Sequence, residues 1–190
     1  MALTQQRSEP QPASGAWTYD DLLALPDDGR RWEIIEGVLY EMPSPSWAHA
    51  AIIANLLLAW IALVRRLGGT IVTAPVDVFF PGAAPVQPDI LVALPGNPGR
   101  PSRRGFEGAP DLVVEVLSPS TRRFDLLLKR SRLEAAGCEH YWVVDPDEPS
   151  ITAWTLVDGT YREVARAAGA ESFDLGSPFP VSFTPSSLLR

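Results

Sequence analysis

Leu112-Val-Val-Glu-Val-Leu117, followed by Ser118-Pro-Ser-Thr121, a helical stretch to Ala136, Gly137 and then Tyr141-Trp-Val-Val-Asp-Pro146, decides how this chain folds. Both apolar runs are short and rich in β-branched residues, the pattern of strands buried on two faces. The stretch between them is long enough for a helix that Gly137 stops. A strand, a crossover helix and a second strand make a unit in which the two strands lie parallel.

Elements on either side extend the sheet. Upstream, Asp89 to Ala93 is another buried run, and Thr70 to Thr73 and Val76 to Phe80 read as strands around Pro75. Between Pro95 and Pro110 lies a Gly- and Pro-rich loop whose length marks it as functional or mobile. Downstream, Ile151 to Leu156 and Thr160 to Ala165 pair around Asp158-Gly159, a hairpin signal because the turn needs positive φ. Glu36-Gly37 pivots a second hairpin between Trp32 and Met42. Thr18 caps a short helix, Tyr19 to Leu25, and the tail from Phe173 reads as an irregular strap. The expected fold is α/β, a mixed sheet flanked by helices with additional β-hairpins.

The 190 residues fit one domain, 17–190, behind a polar, Pro-rich tail, 1–16, expected to be disordered. Trp47 to Val64 is apolar for 18 residues, at the lower limit for spanning a bilayer. It contains His49 and Asn55, and a soluble α/β pattern follows, so it reads as a core helix. No signal peptide is expected, and the lone Cys138 has no internal partner, which suits a reducing cytoplasm. The formal net charge of −7 argues against a protein that coats DNA nonspecifically. It leaves room for a site built from acids.

Two acids carry that chemistry. Asp89 in Val86-Gln-Pro-Asp-Ile-Leu91 and Glu115 in Leu112-Val-Val-Glu-Val-Leu117 each stand among apolar strand residues. A buried carboxylate must be hydrogen-bonded, paired or bound to a metal. Two of them on neighbouring strands suit a divalent cation with oxygen ligands, such as magnesium. Lys129 follows on the helix, four residues after Asp125. By spacing alone the two form an exposed i,i+4 pair. By position, the helix begins where the Glu115 strand ends, where open α/β sheets bind ligands. A lysine reaching back there would meet the charge of an attacked phosphate.

Taken in order, these motifs resemble the Uma-type family of restriction endonucleases within the PD-(D/E)XK nuclease superfamily. The resemblance runs from Thr18 to Leu189 and rests on Trp32-Glu-Ile-Ile-Glu-Gly37, Gln87-Pro-Asp-Ile90, Gly108-Ala-Pro-Asp-Leu-Val-Val-Glu-Val-Leu-Ser-Pro-Ser-Thr121, Lys129 and Tyr141-Trp-Val-Val-Asp-Pro146. It implies a restriction-endonuclease-like fold, with Asp89 and Glu115 as ligands of Mg²⁺, Mn²⁺ being an alternative. The superfamily's Glu-x-Lys is broken, since Leu117 stands at the lysine position, and the family pattern moves that lysine to Lys129. Glu33 and His49 match family positions. Glu33 reads equally as a hairpin surface charge, and His49 as a capping or core histidine. The implied activity is Mg²⁺-dependent hydrolysis of DNA phosphodiesters by a homodimer. A binding module that keeps the nuclease fold without its chemistry, and a metal-dependent phosphatase, are the alternatives.

Overall fold

The computed structural model describes residue 12 and residues 15–82, 84–119 and 122–190, without the side chains of Ile35 and Phe124. Apart from residues 12, 15 and 16, the tail expected to be disordered lies outside the described residues. Two compact units make up the chain, 1–42 and 43–190, and each is described by itself.

The first unit holds α1 (Tyr19–Leu23), β1 (Arg31–Ile35) and β2 (Val38–Met42). Thr18 and Asp21 form a reciprocal capping box on α1, and α1 ends two residues short of Leu25. β1 and β2 pair antiparallel through a two-residue turn, Glu36 and Gly37, with φ of 52° and 77°. Those angles match the tight hairpin turn that the Glu-Gly pair suggests.

The second unit begins with α2 (Trp47–Arg66), β3 (Thr70–Thr73), β4 (Val78–Phe79) and β5 (Ile90–Ala93). β6 (Arg100–Ser102), β7 (Gly105–Glu107) and β8 (Leu112–Val116) follow. Next come a π-helical segment, Phe124–Lys129, running into α3 (Arg130–Ala136), and then β9 (His140–Asp145). β10 (Ser150–Val157), β11 (Thr160–Ala168), β12 (Phe173–Leu175), β13 (Val181–Phe183) and a 3₁₀ turn, Pro185–Leu189, complete it. The main sheet has the order β11-β10-β9-β8-β5-β3. β8 and β9 are parallel, joined by the helical crossover, and the other neighbours are antiparallel. The sheet is therefore mixed, with helices and hairpins around it, as expected.

Alternation along β8 divides the core. Val114 and Val116 face α2, whose buried stripe Ile52, Leu56, Trp60 and Val64 recurs every four residues. Trp60 meets Trp142 edge-on at 5.6 Å and Phe179 at 5.6 Å. α2 is long and apolar enough to cross a membrane, but this stripe is core, and Asn55 donates to the carbonyls of Leu188 and Arg190 at 2.9 and 3.0 Å. Val113 faces the other way, with Leu91, Tyr141, Val143 and Leu133 of α3. Glu115, between Val114 and Val116, shares that second face.

Three segments differ from the expectation. The loop Pro95 to Pro110 contains the β6–β7 hairpin, whose β7 pairs with β4 in a separate three-stranded sheet. Pro101 hides it in the sequence, since proline is tolerated only on an edge strand. The tail is not irregular: β12 and β13 pair, and Phe173, Phe179, Val181 and Leu188 are buried in the α2-side core. The helix before Gly137 is regular only from Arg130; its preceding turn is π-helical.

Candidate active site

Strand register brings the acids together. β5 and β8 pair with Ile90 opposite Val114. One residue further along the same register, Asp89 stands across from Glu115, and opposed residues of an antiparallel pair share a face. Asp89 is fixed from three sides. Its Oδ2 accepts from the Val116 amide at 2.7 Å and lies 3.2 Å from His49 Nε2. Its carbonyl accepts from Thr73 Oγ1 at 2.8 Å and the Ala74 amide at 3.1 Å. Both side-chain contacts fall on Oδ2. The hydrogen bond from Val116 ties Asp89 to the residue after Glu115.

Lys129 comes from the crossover. Its Nζ lies 3.3 Å from Glu115 Oε1 and 3.3 Å from Asp125 Oδ1, and donates to the Gln87 carbonyl at 3.2 Å. Glu115, Asp125 and Lys129 are all buried, at 1%, 2% and 5% exposure. The Asp125–Lys129 pair is thus not the exposed i,i+4 bridge that spacing alone suggests. The π turn widens the helix there, and it lies directly beside β8, the contact that spacing cannot reveal.

Tyr141, on the parallel neighbour strand, closes the group from beneath. Its hydroxyl donates to the Asp125 carbonyl at 2.7 Å. Burial first, then the negative charges of Glu115, Asp125 and Asp89, push its ionisation well above the ordinary range. The phenol stays a neutral donor among three acids. Neither Asp125 nor Tyr141 was distinguished as a site residue by the sequence. The available signal was their spacing: an acid one turn before Lys129, and a tyrosine opening the strand that pairs with Glu115.

Of the residues singled out, Asp89, Glu115, Lys129 and His49 converge in the second unit. His49 is joined to Asp89, while its own amide is capped by Ser46 Oγ at 3.2 Å. Glu33 lies on β1 of the first unit and is buried at 4% exposure, so it is not a hairpin surface charge. Asp145 accepts from the Asp147 amide at 3.1 Å, as a turn-forming Asp does, and also binds Arg122 Nη2 at 2.6 Å. Cys138 is buried, and burial pushes its thiol up to about 12, which rules it out as a nucleophile at neutral pH.

The donor set can be tested against a metal. Among the described residues no three His, Cys, Asp or Glu side chains form a closed metal cluster. Magnesium does not need one, because it keeps waters and takes one or two carboxylates with substrate phosphate. Hard oxygen donors, no thiolate and one histidine already held by Asp89 favour Mg²⁺ or Mn²⁺ over zinc.

A family model described as "Putative restriction endonuclease" matches residues 19–188, nearly the whole described chain. This chain belongs to that family, Uma2. Nuclease is the class of activity that membership in Uma2 supports. No curated protein matches the sequence. Among solved structures, a crystal structure of "a putative nuclease belonging to DUF820" from Anabaena variabilis ATCC 29413 is similar at a TM-score of 0.69 and 22% identity. The match covers 90% of this chain and 96% of that one, and it shows that the two share a fold.

Proposed function

We propose that this Uma2 protein is a Mg²⁺-dependent endonuclease that hydrolyses phosphodiester bonds in DNA, with Mn²⁺ as a competent substitute. The observation that carries this reading is the convergence of Asp89, Glu115, Asp125 and Lys129, with Asp89 and Glu115 facing each other across β5 and β8 and Lys129 arriving from the crossover. Asp89 and Glu115 would hold the ion. When bound, it supplies positive charge to the phosphate and lowers the pKa of the attacking water.

The chain's own residues do the rest. His49 and the Val116 amide fix the Asp89 carboxylate through its Oδ2. Lys129, held by Glu115, Asp125 and the Gln87 carbonyl, stands ready to meet charge that builds on the phosphoryl oxygens. Tyr141 anchors the backbone of the π turn and so the direction from which Lys129 arrives. The test is cleavage of plasmid and single-stranded DNA with Mg²⁺, with Mn²⁺ and with EDTA, for wild type and for Asp89→Asn. Cleavage that survives EDTA, or that Asp89→Asn retains in full, would overturn the reading.

The active form is proposed as a homodimer, since cutting both strands calls for paired sites. Trp142 and Trp154 are core, at 0% and 9% exposure, and offer no surface for such pairing. Trp47 and Leu58 on α2 are exposed, at 89% and 77%, and support the proposal. A monomer at tens of micromolar in sedimentation would refute it.

A further inference from the structure

Beside the acids lies a cavity of about 630 Å³, bounded by edge strand β3, by β5 and by the β6–β7 hairpin. Its residues all belong to the second unit. The volume falls within the range of small-molecule sites, roughly 300–1,000 Å³. Gln87 joins it to the site: its carbonyl accepts from Lys129 Nζ at 3.2 Å, and its side chain lines the cavity, donating to Asp77 Oδ1 at 2.8 Å.

The lining is of two kinds. Val72, Leu91 and Phe106 give apolar walls. Asp77 and Gln87, hydrogen-bonded to each other, bring a carboxylate and an amide, groups that recognise the N–H and C=O edge of a planar heterocycle, while the Asn97 amide is taken up within the loop by the Gly99 amide and the Ala109 carbonyl. Arg103 and Arg104 add cationic charge. Arg104 is held in place by stacking over Phe79 at 4.1 Å and by Glu107 at 3.4 Å. A neutral apolar ligand would leave the arginines unused, and a simple anion would leave the apolar walls unused. A nucleotide uses both, its base against Leu91 and Phe106 and its phosphate at the arginines.

We infer that this cavity receives one unpaired nucleobase of the DNA strand, next to the phosphate presented to Asp89 and Glu115. The inference rests on the nuclease reading and narrows it. A base enters such a cavity only out of its stack, which costs least in single-stranded or distorted DNA. The base is therefore taken most easily from an unpaired or distorted stretch of the DNA, and the protein's acidity is less of an obstacle there than it would be for gripping a long regular duplex.

Thr70, exposed on β3 and lining the cavity, offers the test. Thr70→Trp fills the space with a residue that suits an edge strand, and Arg103→Glu reverses charge at an exposed position. Metal-free protein is titrated with dAMP while amide signals of Thr70, Val72 and Phe106 are followed by NMR. Affinity for a single-stranded 12-mer carrying 2-aminopurine is measured beside it, with cleavage in Mg²⁺ as a separate readout. The expected result is that dAMP shifts those signals and that each variant loses at least ten-fold in 12-mer affinity while melting as wild type does. DNA cleavage by wild type, with 12-mer affinity unchanged in both variants, would overturn the cavity inference and leave the nuclease reading standing. Shifts from dAMP that Thr70→Trp abolishes, without cleavage under any metal, would support the cavity and overturn the nuclease reading. Neither shifts nor cleavage would overturn both.

Discussion

Lys129→Ala separates a buried electrostatic role from a surface one. Lys129 Nζ lies 3.3 Å from oxygens of both Glu115 and Asp125. At an effective dielectric of about 20, each contact is worth about 5 kcal/mol of Coulomb attraction. The two oxygens flank one nitrogen, so they lie at most ~6.6 Å apart and repel by about 2.5 kcal/mol or more. Without the ammonium, two carboxylates stay buried close together, or one must take up a proton. Protonating an ordinary glutamate at pH 7 costs about 3.7 kcal/mol, from a reference pKa near 4.3 and about 1.36 kcal/mol per pH unit. That cost caps the penalty. It falls in the range measured for removing one partner of a buried pair, about 3–5 kcal/mol.

Urea unfolding at pH 7.5 should therefore show Lys129→Ala less stable by about 3–4 kcal/mol, within the cost of one protonation at that pH. At pH 5.0 the same proton costs only about 1 kcal/mol, so the deficit should shrink by more than half. Magnesium should restore part of the stability at pH 7.5, because the site now carries a larger negative charge and binding to the folded state stabilises it. DNA turnover should fall about 10²–10³-fold, the usual cost of one preorganised transition-state contact. A stability loss under about 0.5 kcal/mol would return Lys129 to the status of a surface ion pair. A deficit identical at pH 5.0 and 7.5 would mean that packing, not charge, was lost.

Glu115→Gln should remove detectable Mg²⁺ binding by calorimetry while costing only about 1–2 kcal/mol, because Lys129 keeps Asp125 and the Gln87 carbonyl; unchanged metal affinity would exclude Glu115 as a ligand. Trp60→Ala should cost about 3–5 kcal/mol in urea unfolding, since Trp60 is 3% exposed and packed against Trp142 and Phe179. A loss below about 1 kcal/mol would contradict the α2-side core. His140 is buried with its ring nitrogens 3.0 Å from Thr155 Oγ1 and 3.2 Å from Ser177 Oγ, and burial holds its pKa below 6.5. The unfolded chain then takes up a proton that the fold refuses, so stability is full above about 6.5 and falls as pH drops through the folded value. His140→Gln should flatten the urea midpoint between pH 7.5 and 5.5, and an unchanged slope would locate the acid sensitivity elsewhere.

Much of this architecture was legible from local pattern. β8 and β9 are apolar at most positions, with Glu115 the exception inside β8 and His140 and Asp145 at the ends of β9, because both faces are covered, and that pattern needs no tertiary knowledge. Glu36-Gly37 and Asp158-Gly159 announced their turns because both require positive φ, which the structure has at all four residues. The β6–β7 hairpin was hidden because its strands are three residues each, one containing Pro101, and pair with β4 rather than with the main sheet. The final strap was underestimated because Phe173, Phe179 and Leu188 gain their core role only against α2 and β9.

The same division runs through the site. By itself the sequence determined that Asp89 and Glu115 sit in strands too apolar to leave a carboxylate unaccounted for, and that Lys129 follows on the crossover. Those are properties of residues and their immediate neighbours. Only the tertiary structure decided that Lys129 and Asp125 are buried, that Asp89 is tied to His49 and to the Val116 amide, and that Tyr141 lies among three negative charges. The register between β5 and β8 and the π turn above β8 set those contacts. Distances between segments 14 to 40 residues apart come from chain packing, and no local pattern encodes them.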